Sequence, residues 1–211
     1  FDAKEVMRAV TKYRVTISFA VPAMLLFMSQ QSNFEQADLS SLRMIAVGGA
    51  PMPESLLRLY AERGIPVHQG YGMTELGGNA VFMDGDAHRR GVTSDPHLLT
   101  AAGKPGPLAE ARIVDDVMVD LPTGEVGEIV IRGAQVFSGY WNDPASTAET
   151  IIDGWLRTGD LGFMRFGEVY ITGRLKDLLI VRGHNLYPQD IEQTIEREVE
   201  VVRKGRVAAF A

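Results

Sequence analysis

Apolar residues at Val6, Met7 and Val10 share one face behind Asp2, an acid placed to cap a helix, and this spacing predicts a helix reaching about Tyr13. Residues 15–19 then form a short apolar and β-branched run, the pattern of a buried strand, and Pro22 opens an apolar helix reaching about Met28. A polar connection over 29–41 leads to a second strand at 42–47, closed by Gly48-Gly49-Ala50-Pro51. Leu56, Leu57 and Tyr60 give helical spacing over 53–63, Gly64 stops that helix, and 66–69 reads as a third strand ending at Gly70-Tyr71-Gly72. Helix and strand alternate, and the strands are short continuous apolar runs. That combination predicts a parallel sheet covered on both faces, an α/β class. Ligands of such sheets bind beyond the carboxyl ends of the strands, where both glycine turns fall.

The pattern changes after this. Residues 84–102 read as a loop, and from Gly103 on short strands at 111–114, 126–132 and 168–171 alternate with turn signals at Pro122-Thr123-Gly124 and Phe166-Gly167-Glu168. This part is predicted to be a small antiparallel sheet or barrel, with one brief helix at 143–150. Beyond Lys176 come a strand at 178–181, a turn at 182–185, a helix over 188–198 and a strand at 206–210.

Composition narrows the function. The chain has 21 Lys+Arg against 27 Asp+Glu and no basic block, so the electrostatic footprint of a nucleic-acid binder is missing. There is no cysteine, hence no disulfide and no thiolate metal site, which fits a cytoplasmic protein. The longest apolar run, 17–28, is interrupted by Ser18 and Pro22 and is too short to span a membrane. None of the four histidines pairs at metal-ligand spacing.

Candidate chemistry concentrates at a few places. In Gly70-Tyr71-Gly72-Met73-Thr74-Glu75, the glycines allow close backbone approach to a ligand and leave the Tyr71 ring free to stack on a planar group. The Thr74 hydroxyl suits a phosphate oxygen and the Glu75 carboxylate a Mg²⁺ ion. The alternative is a strand-to-helix turn with Thr74 as its N-cap and Tyr71 in the core. Gly48-Gly49-Ala50-Pro51 is also explained as a tight turn. The stretch 153–192 carries the densest polar punctuation: Asp160 in Thr158-Gly159-Asp160 suits two vicinal ribose hydroxyls, or else is a turn residue satisfied by backbone N–H groups. Arg174 suits the same ribose or a phosphate, or is a solvated hairpin arginine. Lys176 and Asp177 read as a hinge or as an exposed turn.

In this order the segments Gly48-Gly49-Ala50-Pro51, Tyr71-Gly72-Met73-Thr74-Glu75, Thr158-Gly159-Asp160, Gly173-Arg174-Leu175-Lys176-Asp177 and Gly183-His184-Asn185, with Pro188 and Ile191-Glu192, resemble the adenylate-forming superfamily. That group contains acyl-CoA synthetases, fatty acyl-AMP ligases, luciferases and peptide-synthetase adenylation domains. The resemblance spans nearly the whole chain. It implies activation of a carboxylate by ATP to acyl-AMP and pyrophosphate, with Mg²⁺, followed by capture on a thiol of CoA or of carrier-protein phosphopantetheine. By resemblance, Gly49, Ala50, Pro51 and Tyr71 line the adenine, Gly72 and Thr74 serve the nucleotide and its phosphate, and Glu75 holds the Mg²⁺. Asp160 takes the ribose hydroxyls, supported by Arg174. Lys176 is the hinge, Gly183 meets the pantetheine arm, and the acyl pocket involves the 21–28 helix, Gly70, Gly72 and the Gly77-Gly78-Asn79 stretch. The resemblance divides the chain into part of an α/β subdomain at 1–95, a β-rich, barrel-like subdomain at 96–175, and the hinge with the start of a lid domain at 176–211.

Nothing in the chain resembles the family's Lys-ended phosphate loop or its catalytic lysine, which stabilises charge in the adenylation transition state. The 211 residues are therefore expected to be a segment of a longer enzyme, inactive alone. Residues 179–192 and 202–210 look like fatty acyl-AMP ligases, whereas Tyr71-Gly72-Met73-Thr74-Glu75 looks like ordinary acyl-CoA synthetases. The expected substrate is a fatty or related acyl group, with an acyl carrier protein as the alternative acceptor to CoA. Amino-acid adenylation, or a non-catalytic nucleotide-binding or docking module, are the competing readings.

Overall fold

A computed structural model describes residues 1–181, 184–199, 201–202 and 207–210, which fall into two compact units. The first comprises 1–109 with 133–137, the second 110–132 with 138–211.

In the first unit, α1 (Ala3–Tyr13) is capped by Asp2, whose Oδ1 accepts from the N–H groups of Lys4 at 2.9 Å and Glu5 at 3.1 Å. Strand β1 (Ile17–Ala20) leads to α2 (Pro22–Ser29), with proline in its first turn, where no N–H is needed. Next come β2 (Met44–Val47), α3 (Glu54–Glu62) and β3 (Val67–Met73). These three strands pair in parallel, as the alternation predicts, with Ser18, Ile45 and Val67 among the register partners. Ala20, Ile45, Val47 and Val67 pack with Met7 and Val10 of α1, Leu25 and Met28 of α2, and Leu57 and Tyr60 of α3 in one core. The Tyr60 hydroxyl donates to the Leu25 carbonyl at 2.9 Å and its ring meets Phe34 edge-on at 5.5 Å. Arg63 donates to the carbonyls of Phe34 at 2.7 Å and Ala37 at 2.9 Å, which ties the 29–41 connection onto α3.

Two expectations fail here. Among the described residues the sheet is not covered on both faces at β1: Ile17 and Phe19 point away from the core and are 59% and 61% exposed. Nor is 84–102 a loop. It holds α4 (Gly85–Thr93) and a 3-10 turn, Pro96–Thr100. Gly85, Asp86 and Gly91 are poor helix formers that hide the inward spacing of Ala87, His88 and Gly91. What starts α4 is Asp84, whose side chain accepts from the Ala87 N–H at 2.7 Å. The sheet also extends antiparallel through β4 (Gly78–Phe82) and β5 (Lys104–Pro105), in the order β1-β2-β3-β4-β5.

The second unit is built on β6 (Ala109–Val114), β7 (Gly127–Gly133), the helix α5 (Pro144–Thr150), the short β8 (Ile151–Ile152), β9 (Trp155–Arg165) and β10 (Glu168–Arg174). Asp143 caps α5 through the Ser146 N–H at 2.9 Å. The sheet runs β10-β9-β7-β6 with β8 added on β9, and the β10–β9, β9–β7 and β8–β9 pairings are antiparallel. This path is open; it does not close into a barrel among the described residues. Two-residue turns at Asp153-Gly154 and Phe166-Gly167, all with positive φ, make the β8–β9 and β9–β10 hairpins. Trp155 packs with the Arg112 and Arg132 guanidiniums 4.8 and 4.5 Å from its ring, each arginine paired with an acid, Asp120 and Glu110.

After a 3-10 turn at Leu175–Asp177 come β11 (Leu179–Val181) and β12 (His184–Leu186), a separate two-stranded sheet, and α6 (Pro188–Glu198). The strand expected at 206–210 is absent over 207–210, where the chain is irregular and the Ala209 N–H donates to Glu192 at 2.9 Å; Arg206 lies outside the described residues. No helix among the described residues is long and apolar enough to cross a membrane.

Candidate functional site

The first group of candidate residues gathers at the carboxyl ends of β2 and β3. Gly48 and Gly49 leave β2 in a turn, Gly49 with φ +84, and Gly49, Ala50 and Pro51 are exposed. A Cβ on Gly48 would lie 3.2 Å from the Gly70 carbonyl and 3.2 Å from the Asn79 side chain. The two glycine segments therefore meet, with Asn79 between them.

The sequence attributes the openness of Gly70 and Gly72 to a ligand, but β4 fills both places. A Cβ on Gly70 would stand 2.1 Å from Asn79 Nδ2, and one on Gly72 1.9 Å from the Gly78 carbonyl. The strands approach this closely at a bulge between Tyr71 and Gly72. Asn79 is the residue that sequence reasoning underweights; the pairing of β3 with a glycine-led β4 was the available signal. Gly78 is exposed, with φ +127 and open space at its Cα.

Tyr71 is half-buried rather than a core residue. Thr74 opens a 3-10 turn, Thr74–Leu76, in which the N-cap position belongs to Met73 and carries no side-chain cap, so Thr74 does not act as the helix cap. Its hydroxyl is on the surface, next to the half-buried Glu75, whose carbonyl accepts from the Phe137 N–H at 2.8 Å. No group of three or more His, Asp or Glu among the described residues is arranged to hold a metal by itself. One carboxylate beside a surface hydroxyl fits a Mg²⁺ that keeps its phosphate and water ligands.

The second group lies in the other unit. Asp160 sits inside β9, not at a turn, and is 6% exposed. Its Oδ1 accepts from Arg174 Nε at 3.0 Å, and the two residues are register partners across the β9–β10 hairpin. The Arg174 side chain remains 55% exposed, so its guanidinium has donors to spare for a ligand. Glu128 of β7, also buried, accepts from Arg157 Nε at 2.8 Å and from the Gly159 N–H at 3.0 Å. Lys176 is exposed in the 3-10 turn two residues beyond Arg174. Gly183, the residue expected to meet a pantetheine arm, lies outside the described residues.

The first unit thus carries a glycine-turn platform followed by Thr74-Glu75, and the second a buried acid paired with an arginine. The family model of the AMP-binding enzyme matches residues 1–141. The chain belongs to the AMP-binding enzyme family. Among its relatives, the indoleacetate–CoA ligase of Aromatoleum aromaticum is 37% identical over 203 residues, 95% of this chain and 38% of that protein. The long-chain-fatty-acid–CoA ligase FadD13 of Mycobacterium tuberculosis is 39% identical over 197 residues, 92% of this chain and 37% of the relative. The O-succinylbenzoate coenzyme A synthetase (MenE) of Bacillus subtilis, in complex with ATP and magnesium ion, superposes with a TM-score of 0.82 at 33% identity, over 92% of this chain and 39% of that one. The chain thus spans 37% and 38% of the length of the two curated relatives. These AMP-binding enzymes establish the adenylate-forming membership and the α/β architecture together.

Proposed function

We propose that the protein carrying this chain activates a carboxylic acid with ATP, releasing pyrophosphate, and passes the acyl group from AMP to a thiol. Carboxylates are poor electrophiles, and bonding to AMP supplies the leaving group that the thiol then displaces. The Asp160–Arg174 pair carries this reading: a buried carboxylate with one oxygen held by a cation is preorganised to accept the two hydroxyls of a ribose. Arg174 directs its remaining donors to ribose or phosphate oxygens. Gly49, Ala50 and Pro51 form the adenine-facing turn, Tyr71 stacks on the base, and Thr74 donates its hydroxyl to a phosphate oxygen. Glu75 holds the Mg²⁺, which when bound offsets phosphate charge.

The substrate is a fatty or related acyl acid, and the acceptor CoA or carrier-protein phosphopantetheine. The named activities of the relatives support a CoA acceptor and set aromatic acids beside fatty ones as the acids to test first. In this reading Asn79, poised between Gly48 and Gly70, borders the acyl end of the site with Gly72 and Gly78. Residues 176–211 form the hinge and the first part of a lid, with Lys176 as pivot. Its exposure in a 3-10 turn that opens onto a separate two-stranded sheet supports that role.

The test is ATP–pyrophosphate exchange by the full-length protein with fatty, aromatic and amino acids in turn, with Asp160→Ala as control. Exchange with one acid class, abolished in the variant, is expected. Absence of exchange with every acid from a folded protein would favour a nucleotide-binding module instead.

A further inference from the structure

Asp160 stands at an irregular place in its strand. Glu128 on β7 is the register partner of Leu161 on β9, and Val130 is the partner of Arg157. Between those pairs β7 advances two residues (128 to 130) while β9 advances four (157 to 161), so Thr158, Gly159 and Asp160 bulge out against the single residue Ile129. Gly159 takes φ +69 at its centre. Such a bulge re-aims side chains but leaves its own backbone groups unpaired by the ladder.

Glu128 supplies what the ladder does not. Its Oε1 accepts from the Gly159 N–H at 3.0 Å, inside the bulge. Its Oε2 accepts from Arg157 Nε at 2.8 Å and from a second Arg157 nitrogen at 2.6 Å, at the bulge's edge. From the other side, Thr158 Oγ1 donates to the Ile129 carbonyl at 2.6 Å and accepts from the Asp160 N–H at 3.1 Å. Burying a carboxylate is costly unless it is fully engaged, and an apolar residue would serve as well if only packing were required. Here both oxygens are engaged, and both hold the segment that carries Asp160.

We propose that Glu128 is a positioning residue that clamps the Thr158-Gly159-Asp160 bulge and thereby aims the Asp160 carboxylate at the vicinal hydroxyls of the nucleotide. This rests on the reading of Asp160 as the ribose acceptor. Glu128 touches no ligand. Its effect reaches the nucleotide through one peptide N–H and one bulge, so it should appear as lost discrimination for the ribose and not as a general loss of binding.

The experiment is calorimetric binding of Mg·ATP, 2′-deoxyATP and 3′-deoxyATP to the full-length protein and its Glu128→Gln, Thr158→Val and Asp160→Ala variants, with a thermal melt of each. Glu128→Gln keeps the side chain's size while replacing one acceptor by a donor. Both Glu128→Gln and Thr158→Val should weaken ATP binding about tenfold, the weight of one charge-assisted hydrogen bond, and should weaken each deoxynucleotide less, since it keeps one hydroxyl for Asp160, so that the preference for ATP over both shrinks. Asp160→Ala should bind all three alike. If Asp160→Ala erases the discrimination and the other two variants keep it, or weaken all three nucleotides in parallel, Glu128 is only a scaffold residue and the inference fails. If Asp160→Ala still discriminates as the parent does, the ribose reading itself fails and the inference with it. Should Glu128→Gln not fold, Glu128→Asp, which keeps the carboxylate but shortens its reach to the Gly159 N–H, decides in its place by the same readout.

Discussion

Arg174 Nε and Asp160 Oδ1 lie 3.0 Å apart across a hairpin in which the two residues are direct register partners, the acid side chain 9% and the arginine side chain 55% exposed. This asymmetry predicts unequal costs. Arg174→Ala leaves a buried carboxylate without this cation and should destabilise by about 1–3 kcal/mol. Asp160→Ala frees an arginine already facing water and should cost about 0–1 kcal/mol. Both should raise the KM for ATP, and Arg174→Lys should not restore it, since an ammonium lacks the planar fork of the guanidinium. Thermal melts beside ATP titrations separate the two effects; equal destabilisation by both alanines would count against the pairing.

The glycines around Tyr71 should fail in two distinguishable ways. A Cβ on Gly72 meets the Gly78 carbonyl at 1.9 Å, backbone that cannot turn aside, so Gly72→Ala should cost at least about 3 kcal/mol, the upper range of core overpacking. At Gly70 the nearest atoms belong to the Asn79 side chain. Gly70→Ala should therefore be rescued in large part by Asn79→Ala, and Gly72→Ala should not. A double-mutant cycle in urea measures the coupling directly; equal rescue of both would show that β4 moves as a whole.

The sequence readily shows α1, α2 and α3, because Asp2, Pro22 and Gly64 mark their ends and their apolar faces repeat at helical spacing. It shows α4 poorly, since two glycines and a run of charges mask three inward positions and only Asp84 signals the start. The long β9 is hidden for a related reason: Thr158-Gly159-Asp160 looks like a turn, yet it is a bulge held inside a strand by Glu128, a partner 31 residues before Gly159. Asp160 and Arg174 were legible as individual candidates. Their pairing was not, because it depends on hairpin register and on the irregularity between Ile171 and Gly173.

Ile17 and Phe19 form an open apolar face on β1, the outermost strand of the first unit's sheet. Phe27 of α2, at 47% exposure, is another large apolar side chain left to solvent in this unit. A 211-residue chain carrying this face should self-associate when prepared by itself. The double variant Ile17→Lys with Phe19→Glu should lower the apparent mass in light scattering while leaving the far-UV circular dichroism unchanged. A monodisperse monomer from the unaltered chain would refute this.

His88 is 3% exposed in α4 and its Nε2 has no hydrogen-bond partner among the described residues. Burial, and after it the neighbouring His68, hold its pKa below the ordinary 6.5. His68 is likewise lowered by burial, opposed by the Asp84 carboxylate. For a base whose folded pKa is depressed, the unfolded chain takes up the proton first as pH falls. The contribution to stability is therefore complete above about pH 6.5 and is lost as pH drops from there towards the folded values. Asp38 and Asp143, lowered chiefly by hydrogen bonds from Ser40 and Ser146, act in a separate window that opens only below about pH 4. The melting midpoint should accordingly fall between pH 7 and 5. His88→Leu should flatten that slope by up to about 1.4 kcal/mol per pH unit, the weight of one proton. At pH 7.5 the same variant should be close to neutral, because it removes a buried polar atom that has no partner. An unchanged pH slope in His88→Leu would place the titration elsewhere, and a large loss at pH 7.5 would mean that the imidazole is bonded in the folded state.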